Sequence, residues 1–167
     1  MLKNIIYVAD IYDNTAVDGE GFRTALYVSG CDICCEDCHN KHWWDINNGI
    51  PMTVEEVFDK INFDLTNITF IGGEPMMQAK ALTLLAEKIK RETDKTIWVY
   101  SGHTYEQILE NEDYYNLLKY CDVLVDGKFD KEYYKSNLKF RNSLNQRIID
   151  VKKSFDGGNV VLWEDEF

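Results

Sequence analysis

Two stretches of the chain place apolar residues at helical spacing. The first follows Thr53 and contains Glu56, a pair that can form a capping box at a helix start. Its apolar positions fall at i, i+3, i+4 and i+7 and are Val54, Val57, Phe58 and Ile61. The second stripe lies within residues 76–91 and consists of Leu82, Leu85, Ala86 and Ile89. Both patterns predict helices that bury one face.

Short apolar runs alternate with these helices. The runs cover residues 24–29, 66–71, 96–100 and 122–126, and they predict four strands. Two shorter helices are predicted after Thr104 and around residues 113–119. This alternation favours a parallel α/β sheet, in which ligands bind at the carboxyl ends of the strands. Residues 145–153 and 159–163 flank a turn and are expected to pair as a C-terminal β-hairpin.

Length and composition narrow the class of protein. The chain has 167 residues, and we expect a single domain over residues 1–167. No run approaches the roughly 20 apolar residues that cross a membrane, and the first ten residues lack signal-peptide features. We therefore expect a cytoplasmic protein with no membrane partner. The net charge of -11 argues against a nucleic-acid partner, which a basic surface would bind.

Four of the five cysteines crowd into eight residues, at Cys31, Cys34, Cys35 and Cys38. In a cytoplasmic chain such crowding indicates metal or redox chemistry. A zinc site is disfavoured because adjacent Cys34 and Cys35 make a tetrahedron of four thiolates awkward. Three thiolates at Cys31-x3-Cys35-x2-Cys38 can instead hold three irons of a [4Fe–4S] cluster and leave one iron open. Spacing alone does not exclude Cys34 in place of Cys35.

A glycine pair follows the predicted strand 66–71, in the sequence Ile71-Gly72-Gly73-Glu74-Pro75. Two glycines usually make only a turn. At the end of a strand, however, glycines let the backbone approach a ligand closely because they have no Cβ. Backbone carbonyls and Glu74 can then accept hydrogen bonds from an ammonium group. We therefore expect a ligand at this loop.

The cysteine spacing resembles the signature of the radical S-adenosylmethionine superfamily, and Gly72-Gly73-Glu74 resembles its GGE motif. The resemblance implies a small, incomplete parallel (β/α) barrel. It implies a [4Fe–4S] cluster on Cys31, Cys35 and Cys38, with S-adenosylmethionine at the open iron. Asp37 stands where many members have an aromatic residue, so we expect the adenine contact through the Asp37 backbone or from His39. The implied cofactor-binding residues are Asp37, Cys38, His39, Gly72, Gly73 and Glu74.

Further segments resemble the family of anaerobic ribonucleoside-triphosphate reductase activating proteins. They are residues 18–24, 27–31, 38–41, 97–102, 123–129 and 141–147. This resemblance implies an enzyme that activates the anaerobic (class III) reductase. Reductive cleavage of S-adenosylmethionine on the cluster would generate a glycyl radical on the large reductase subunit. A flavodoxin-type protein is the expected electron donor. No side chain need act as acid or base, so no separate catalytic residue is predicted.

Two other interpretations stay open at this point. The sequence Cys38-His39-Asn40 also resembles the pyruvate formate-lyase activating enzymes, whose chains run considerably longer. A non-enzymatic zinc-binding protein is the alternative from a different functional class.

Overall fold

A computed structural model describes residues 4–38 and 40–164. Within these residues, seven strands form one sheet in the order β3-β1-β2-β4-β5-β6-β7. The strands are β1 (Ile5–Thr15), β2 (Arg23–Val28), β3 (Ile50–Thr53), β4 (Asn67–Gly72), β5 (Ile97–Tyr100), β6 (Val123–Asp126) and β7 (Arg147–Asp150). The helices are α1 (Val54–Ile61), α2 (Ala79–Glu92), α3 (Tyr105–Leu109), α4 (Glu112–Leu118) and α5 (Val151–Gly157). The fold is therefore mixed α/β.

The four strands predicted from apolar runs form the centre of the sheet. β2 pairs with β4, β4 with β5, and β5 with β6, each in parallel. One row of core residues crosses these pairs and consists of Leu26, Phe70, Val99 and Leu124, which lie opposite one another in turn. All four side chains are fully buried. Burying a large apolar side chain contributes about 1.5–3 kcal/mol, so this row stabilises the centre of the sheet.

The outer strands make the sheet mixed, so the expected parallel arrangement holds only at its centre. β1 runs antiparallel to β2 and β3, and β7 runs antiparallel to β6. The first part of β1 alternates buried Ile6 and Val8 with more exposed neighbours, the pattern of a half-buried strand. The sequence prediction missed β1 although this signal was present. β3 has only four residues and contains Pro51, so it carries little signal of its own.

The helices begin and pack as their sequences predict. Thr53 Oγ1 accepts a hydrogen bond from Glu56 N at 3.1 Å, and the Glu56 carboxylate accepts one from Thr53 N at 2.8 Å. Thr104 and Gln107 form the same capping box at the start of α3. The apolar stripes of α1 and α2 join the main core cluster with β2 and β4. None of the helices among the described residues is both long and apolar enough to span a membrane.

The C-terminal part differs from the expected hairpin. β7 covers only Arg147–Asp150, and the chain then turns into α5. Asp150 caps that helix by accepting a hydrogen bond from Lys153 N at 2.9 Å, which explains why the strand stops there. After α5, Leu162 returns to form a bridge with Ile149. The predicted strand over 145–153 is therefore too long, and a helix fills most of the predicted turn. Curvature of the sheet into an incomplete barrel stays a prediction.

The carboxyl ends of the four parallel strands lead into loops that contain glycine. Gly30 follows β2, Gly73 follows β4, Gly102 follows β5 and Gly127 follows β6. Because the strands are parallel, these loops converge at one edge of the sheet. The cysteine cluster and the glycine pair both lie at this edge, as the sequence predicts.

Candidate cluster and cofactor site

A cavity of about 150 Å³ lies at the carboxyl ends of the parallel strands. The cysteine loop, the glycine pair and the loops after β5 and β6 all contribute to its walls. The cysteine loop contributes Cys31, Cys35 and Cys38, and the glycine-pair loop contributes Gly72, Gly73 and Glu74. The structure thus brings the three predicted cluster ligands together with the predicted cofactor loop.

The cysteine loop is held in place by backbone hydrogen bonds from a neighbouring segment. Gly30 N donates to Trp43 O at 2.6 Å, and Cys31 N donates to Trp44 O at 3.0 Å. Ser29 Oγ donates to Ile46 O at 2.7 Å. These hydrogen bonds within the chain hold the start of the cysteine loop independently of a metal.

The three cavity thiols are half-buried and accept backbone hydrogen bonds. Burial raises the pKa of Cys31, while hydrogen bonds from the backbone at Cys34 and Ile33 oppose that rise. Burial also raises the pKa of Cys35, opposed by a hydrogen bond from the Phe129 backbone. Asn40 N donates to Cys38 Sγ at 3.3 Å. These hydrogen bonds stabilise the deprotonated sulfur, which is the form that a metal or cluster binds.

Cys34 has a different environment from its neighbours. Its backbone is left-handed, with φ 51°, which is uncommon for a residue other than glycine. Its side chain is exposed, and its Sγ donates to Cys31 O at 3.2 Å. Cys34 does not line the cavity, whereas Cys35 does. The geometry therefore favours Cys35 as the middle residue of the triad.

The glycine pair packs directly on the start of the cysteine loop. Gly73 N donates to Val28 O, and Glu74 N donates to Gly30 O, both at 2.7 Å. A Cβ on Gly73 would lie 2.4 Å from Gly30 O, and a Cβ on Gly72 would lie 2.6 Å from the Val28 backbone. Gly72 also has φ +117°, which side chains rarely allow. These contacts require glycine at both positions whether or not a ligand approaches them.

Glu74 is buried beneath the cavity with three hydrogen-bond donors around its carboxylate. It accepts from Met76 N at 2.9 Å, from Gly102 N at 2.6 Å and from Ser101 Oγ at 3.0 Å. Burial raises the pKa of Glu74 to about 7, and these hydrogen bonds limit the rise. Ser101 Oγ also lies 3.1 Å from the other carboxylate oxygen, so the Glu74 side chain is held between the loops after β4 and β5.

The remaining predicted cofactor residues lie away from the cavity wall or are not described. The side chain of Asp37 is exposed, with a carboxylate oxygen 3.6 Å from Lys131 Nζ. Contact of the Asp37 backbone with the adenine stays a prediction. His39 lies outside the described residues.

Sequence reasoning from motifs missed part of the cavity wall. Ser101, Gly102, Lys128, Phe129 and Gln146 also line it. Their positions just after β5 and β6, or just before β7, were the available signal, because loops at one sheet edge share a site. The segments 97–102, 123–129 and 141–147 resemble the family, but site roles are predicted from the sequence only in the loops after β2 and β4.

A buried ion pair fixes the loop after β6. Asp126 is 1% exposed, and its carboxylate accepts from Arg147 Nη2 at 2.5 Å and from Tyr105 N at 2.7 Å. The hydrogen bond to Asp126, followed by one to Glu106, raises the pKa of Arg147, and the bond from Arg147 lowers the pKa of Glu106. The pair ties β6, α3 and β7 together where Gly127 and Lys128 enter the cavity wall.

The donor set fits an iron–sulfur cluster. Three cysteines line one cavity, and cysteine thiolates are the usual ligands of such clusters. Across the described ranges, no three His, Cys, Asp or Glu side chains are arranged to hold a single metal ion. A cubane does not need that arrangement, because each thiolate binds a different iron.

Comparison with known proteins agrees with this donor set. Residues 17–149 match the family described as 4Fe-4S single cluster domain. The match includes all four clustered cysteines, the glycine pair and the loops after β5 and β6. A solved structure described as QueE from Escherichia coli covers 60% of this chain and 53% of its own, at 14% identity and a TM-score of 0.47. A likeness this weak adds nothing to the assignment.

Curated relatives match over most of the chain. The protein from Vibrio cholerae is 37% identical over 147 residues, which are 82% of this chain and 93% of the relative. That from Pasteurella multocida is 35% identical over 82% of this chain and 92% of the relative. That from Enterobacteria phage T4 is 34% identical over 83% and 90%. All three are named anaerobic ribonucleoside-triphosphate reductase-activating protein. The chain therefore belongs to this family of iron–sulfur activating proteins.

Proposed function

We propose that the protein activates an anaerobic ribonucleoside-triphosphate reductase by generating a glycyl radical on its large subunit. The observation that carries this proposal is the convergence of Cys31, Cys35 and Cys38 with Gly72, Gly73 and Glu74 in one cavity. The names of the relatives support the reductase as the partner. Neither the cavity residues nor the names of these relatives favour pyruvate formate-lyase as the target or zinc as the metal.

Three thiolates would hold the cluster and leave one position for S-adenosylmethionine. When bound, the cluster supplies the electron that cleaves S-adenosylmethionine to methionine and a 5′-deoxyadenosyl radical, which takes hydrogen from a glycine of the reductase. The protein binds, orients and shields these groups. Gly72, Gly73 and Glu74 would bind the methionine end. The Asp37 backbone or His39 would contact the adenine.

We propose that residues 1–167 form a single domain. Its sheet would curve into an incomplete barrel. A flavodoxin-type protein in the cytoplasm would donate the electron. Neither nucleic acid nor a membrane takes part in this reaction.

Anaerobic reconstitution tests the proposal. The protein should contain about four irons and four sulfides per chain. Incubation of the reduced protein with S-adenosylmethionine and the anaerobic reductase should give a glycyl signal in electron paramagnetic resonance. Pyruvate formate-lyase in place of the reductase is the control and should give none. A colourless protein with one bound zinc, or a signal only with pyruvate formate-lyase, would contradict the proposal.

A further inference from the structure

The connection between β6 and β7, residues 127–146, is long for a compact domain. Its regular structure is one short 3-10 turn at Lys131–Tyr133 and one bridge between Tyr134 and Ser143. Irregular connections of this length usually have a function of their own. We call residues 127–146 the ribbon.

Hydrogen bonds give the ribbon a defined shape. Leu144 N donates to Tyr133 O at 2.8 Å, and Lys135 N donates to Asn142 O at 3.2 Å. Arg141 Nη1 donates to Gln146 O at 2.6 Å. The two halves of the ribbon therefore lie side by side, and the second half is anchored next to β7.

The ribbon forms part of the walls of two adjoining cavities. Lys128, Phe129 and Gln146 line the cluster cavity. Residues 138–142 line a second cavity of about 410 Å³. Ile71 and Tyr100 line both cavities, so the two spaces share a wall. Tyr100 Oη donates to Phe140 O at 2.7 Å, which joins the ribbon to this shared wall.

The ribbon differs in charge from the rest of the protein. It contains five basic residues and two acidic ones, whereas the whole chain has a net charge of -11. The basic residues are Lys128, Lys131, Lys135, Lys139 and Arg141, and the acidic ones are Asp130 and Glu132. A basic segment at the edge of the cluster cavity would attract an acidic surface of a partner.

Large side chains are exposed on the same ribbon. Tyr133 is 50% exposed, Tyr134 is 52% exposed and Leu144 is 44% exposed. The Tyr134 ring packs edge-on against Phe129, with centroids 6.1 Å apart, and Phe129 lines the cluster cavity. Tyrosines are enriched in protein interfaces, where their rings contribute contact area.

We propose that the ribbon is the docking surface for the reductase, and that the reductase presents acidic residues around its target glycine. This inference rests on the proposed function. Transfer of hydrogen from a glycine requires that segment to enter the cavity edge, so the reductase must cover the surface beside it. The ribbon borders that edge, its charge is opposite to the rest of the chain, and it exposes tyrosines and a leucine.

Matched substitutions in the cluster-loaded protein test the docking surface. Lys135→Glu reverses an exposed ribbon charge, and Lys152→Glu makes the same change on α5. Leu144→Ala shortens a ribbon leucine, and Leu65→Ala shortens a leucine that is 92% exposed in the loop before β4. We expect Lys135→Glu to weaken the Kd for the reductase about tenfold at low salt and less at high salt. Leu144→Ala should weaken it about fivefold, and both controls should bind like the wild type.

The readouts separate this inference from the proposed function. Cleavage of S-adenosylmethionine with dithionite and no reductase should be equal in all variants, because none of these residues lines the cluster cavity. If the wild type neither binds nor activates the reductase, the proposed function fails. If the wild type binds and both ribbon variants bind as tightly, the docking surface is wrong. It is also wrong if the ribbon variants lose only electron transfer from a flavodoxin-type donor and keep the Kd for the reductase.

Discussion

Single residues in the cysteine loop have distinct environments although they are adjacent in sequence. Cys35 lines the cavity, while Cys34 is exposed with a left-handed backbone. This difference favours Cys35 over Cys34 as the middle residue of the proposed triad. Sequence spacing leaves both registers possible because the two thiols are one residue apart.

Alanine substitutions test the register directly. Cys35→Ala should lose most of the iron and the brown colour, because one of three ligands is removed. Cys34→Ala is the matched control and should keep about four irons per chain. Iron and sulfide analysis after anaerobic reconstitution measures both. A colourless Cys34→Ala protein with a brown Cys35→Ala protein would reverse the assignment.

Glu74 gives the protein a specific dependence of stability on pH. Burial raises its pKa to about 7 from the usual 4.5, so the folded protein holds this proton more tightly than the unfolded chain. Its contribution to stability is therefore fully present below about pH 4.5 and is lost as the pH rises through 7. Glu74→Gln cannot titrate and should not show this loss.

Urea denaturation of the cluster-free proteins measures this effect. The free energy of unfolding of the wild type, relative to Glu74→Gln, should fall by about 3 kcal/mol between pH 4.5 and pH 8. Taking the difference between the two proteins cancels the titration of the other carboxylates. Parallel pH profiles would mean that Glu74 has an ordinary pKa.

At the scale of elements, the glycine pair joins the loop after β4 to the loop after β2. Gly73→Ala would place a Cβ 2.4 Å from Gly30 O, a backbone atom that cannot move away cheaply. We expect a loss of about 1–3 kcal/mol in the free energy of unfolding, together with poor cluster loading. Denaturation and iron content measure the two effects.

Gly157→Ala in α5 is the matched control for Gly73→Ala. A Cβ on Gly157 meets nothing within 4 Å. This change should leave cluster loading intact and shift the free energy of unfolding by no more than about 1 kcal/mol, because alanine suits a helix better than glycine. Equal effects of the two substitutions would contradict a specific role of Gly73 in loop packing.

The elements that the sequence predicts well are those with a strong local pattern. The capping boxes and apolar stripes predict α1 and α2, and the apolar runs predict the parallel centre of the sheet. β1 carried an alternating pattern that the prediction missed, and β3 is too short to show one. β7 lies within the predicted segment 145–153, but its antiparallel pairing with β6 is not encoded in its own periodicity. The predicted C-terminal hairpin was wrong for 151–157 because Asp150 caps a helix there.

The same limit applies to the candidate site. Cys31, Cys35, Cys38 and the glycine pair belong to short motifs, so the sequence alone predicts them. Ser101 and Phe129 follow parallel strands that end at one edge of the sheet, and Gln146 reaches the same edge because antiparallel β7 begins there. Side-chain partners such as Ser101 for Glu74 are likewise set by tertiary packing.

At the scale of the whole molecule, we expect the sheet and the hydrophobic core to form without the iron–sulfur cluster. The hydrophobic core is built from strands and helices. The start of the cysteine loop is held by hydrogen bonds from Gly30 N and Cys31 N to the Trp43 and Trp44 carbonyls. Removal of iron should therefore leave the far-ultraviolet circular dichroism spectrum nearly unchanged. Hydrogen exchange should become faster in residues 31–38, because the cluster no longer joins the three thiols.

The cluster should still add stability by binding only the folded state. Chelation of the iron should lower the Tm of the wild type, whereas Cys38→Ala, which we expect to lack the cluster, should be insensitive to the chelator. Global loss of secondary structure on chelation would show instead that the cluster is needed for the fold.

The outward position of Cys34 has a practical consequence. Cys121 is buried, and the other three cysteines are the proposed cluster ligands, so the loaded protein would offer one accessible thiol for chemical labelling. A fluorophore or spin label on Cys34 would sit beside the cluster without replacing a ligand. Such a probe could follow assembly of the cluster and arrival of the reductase in the natural sequence, with no cysteine to introduce or remove.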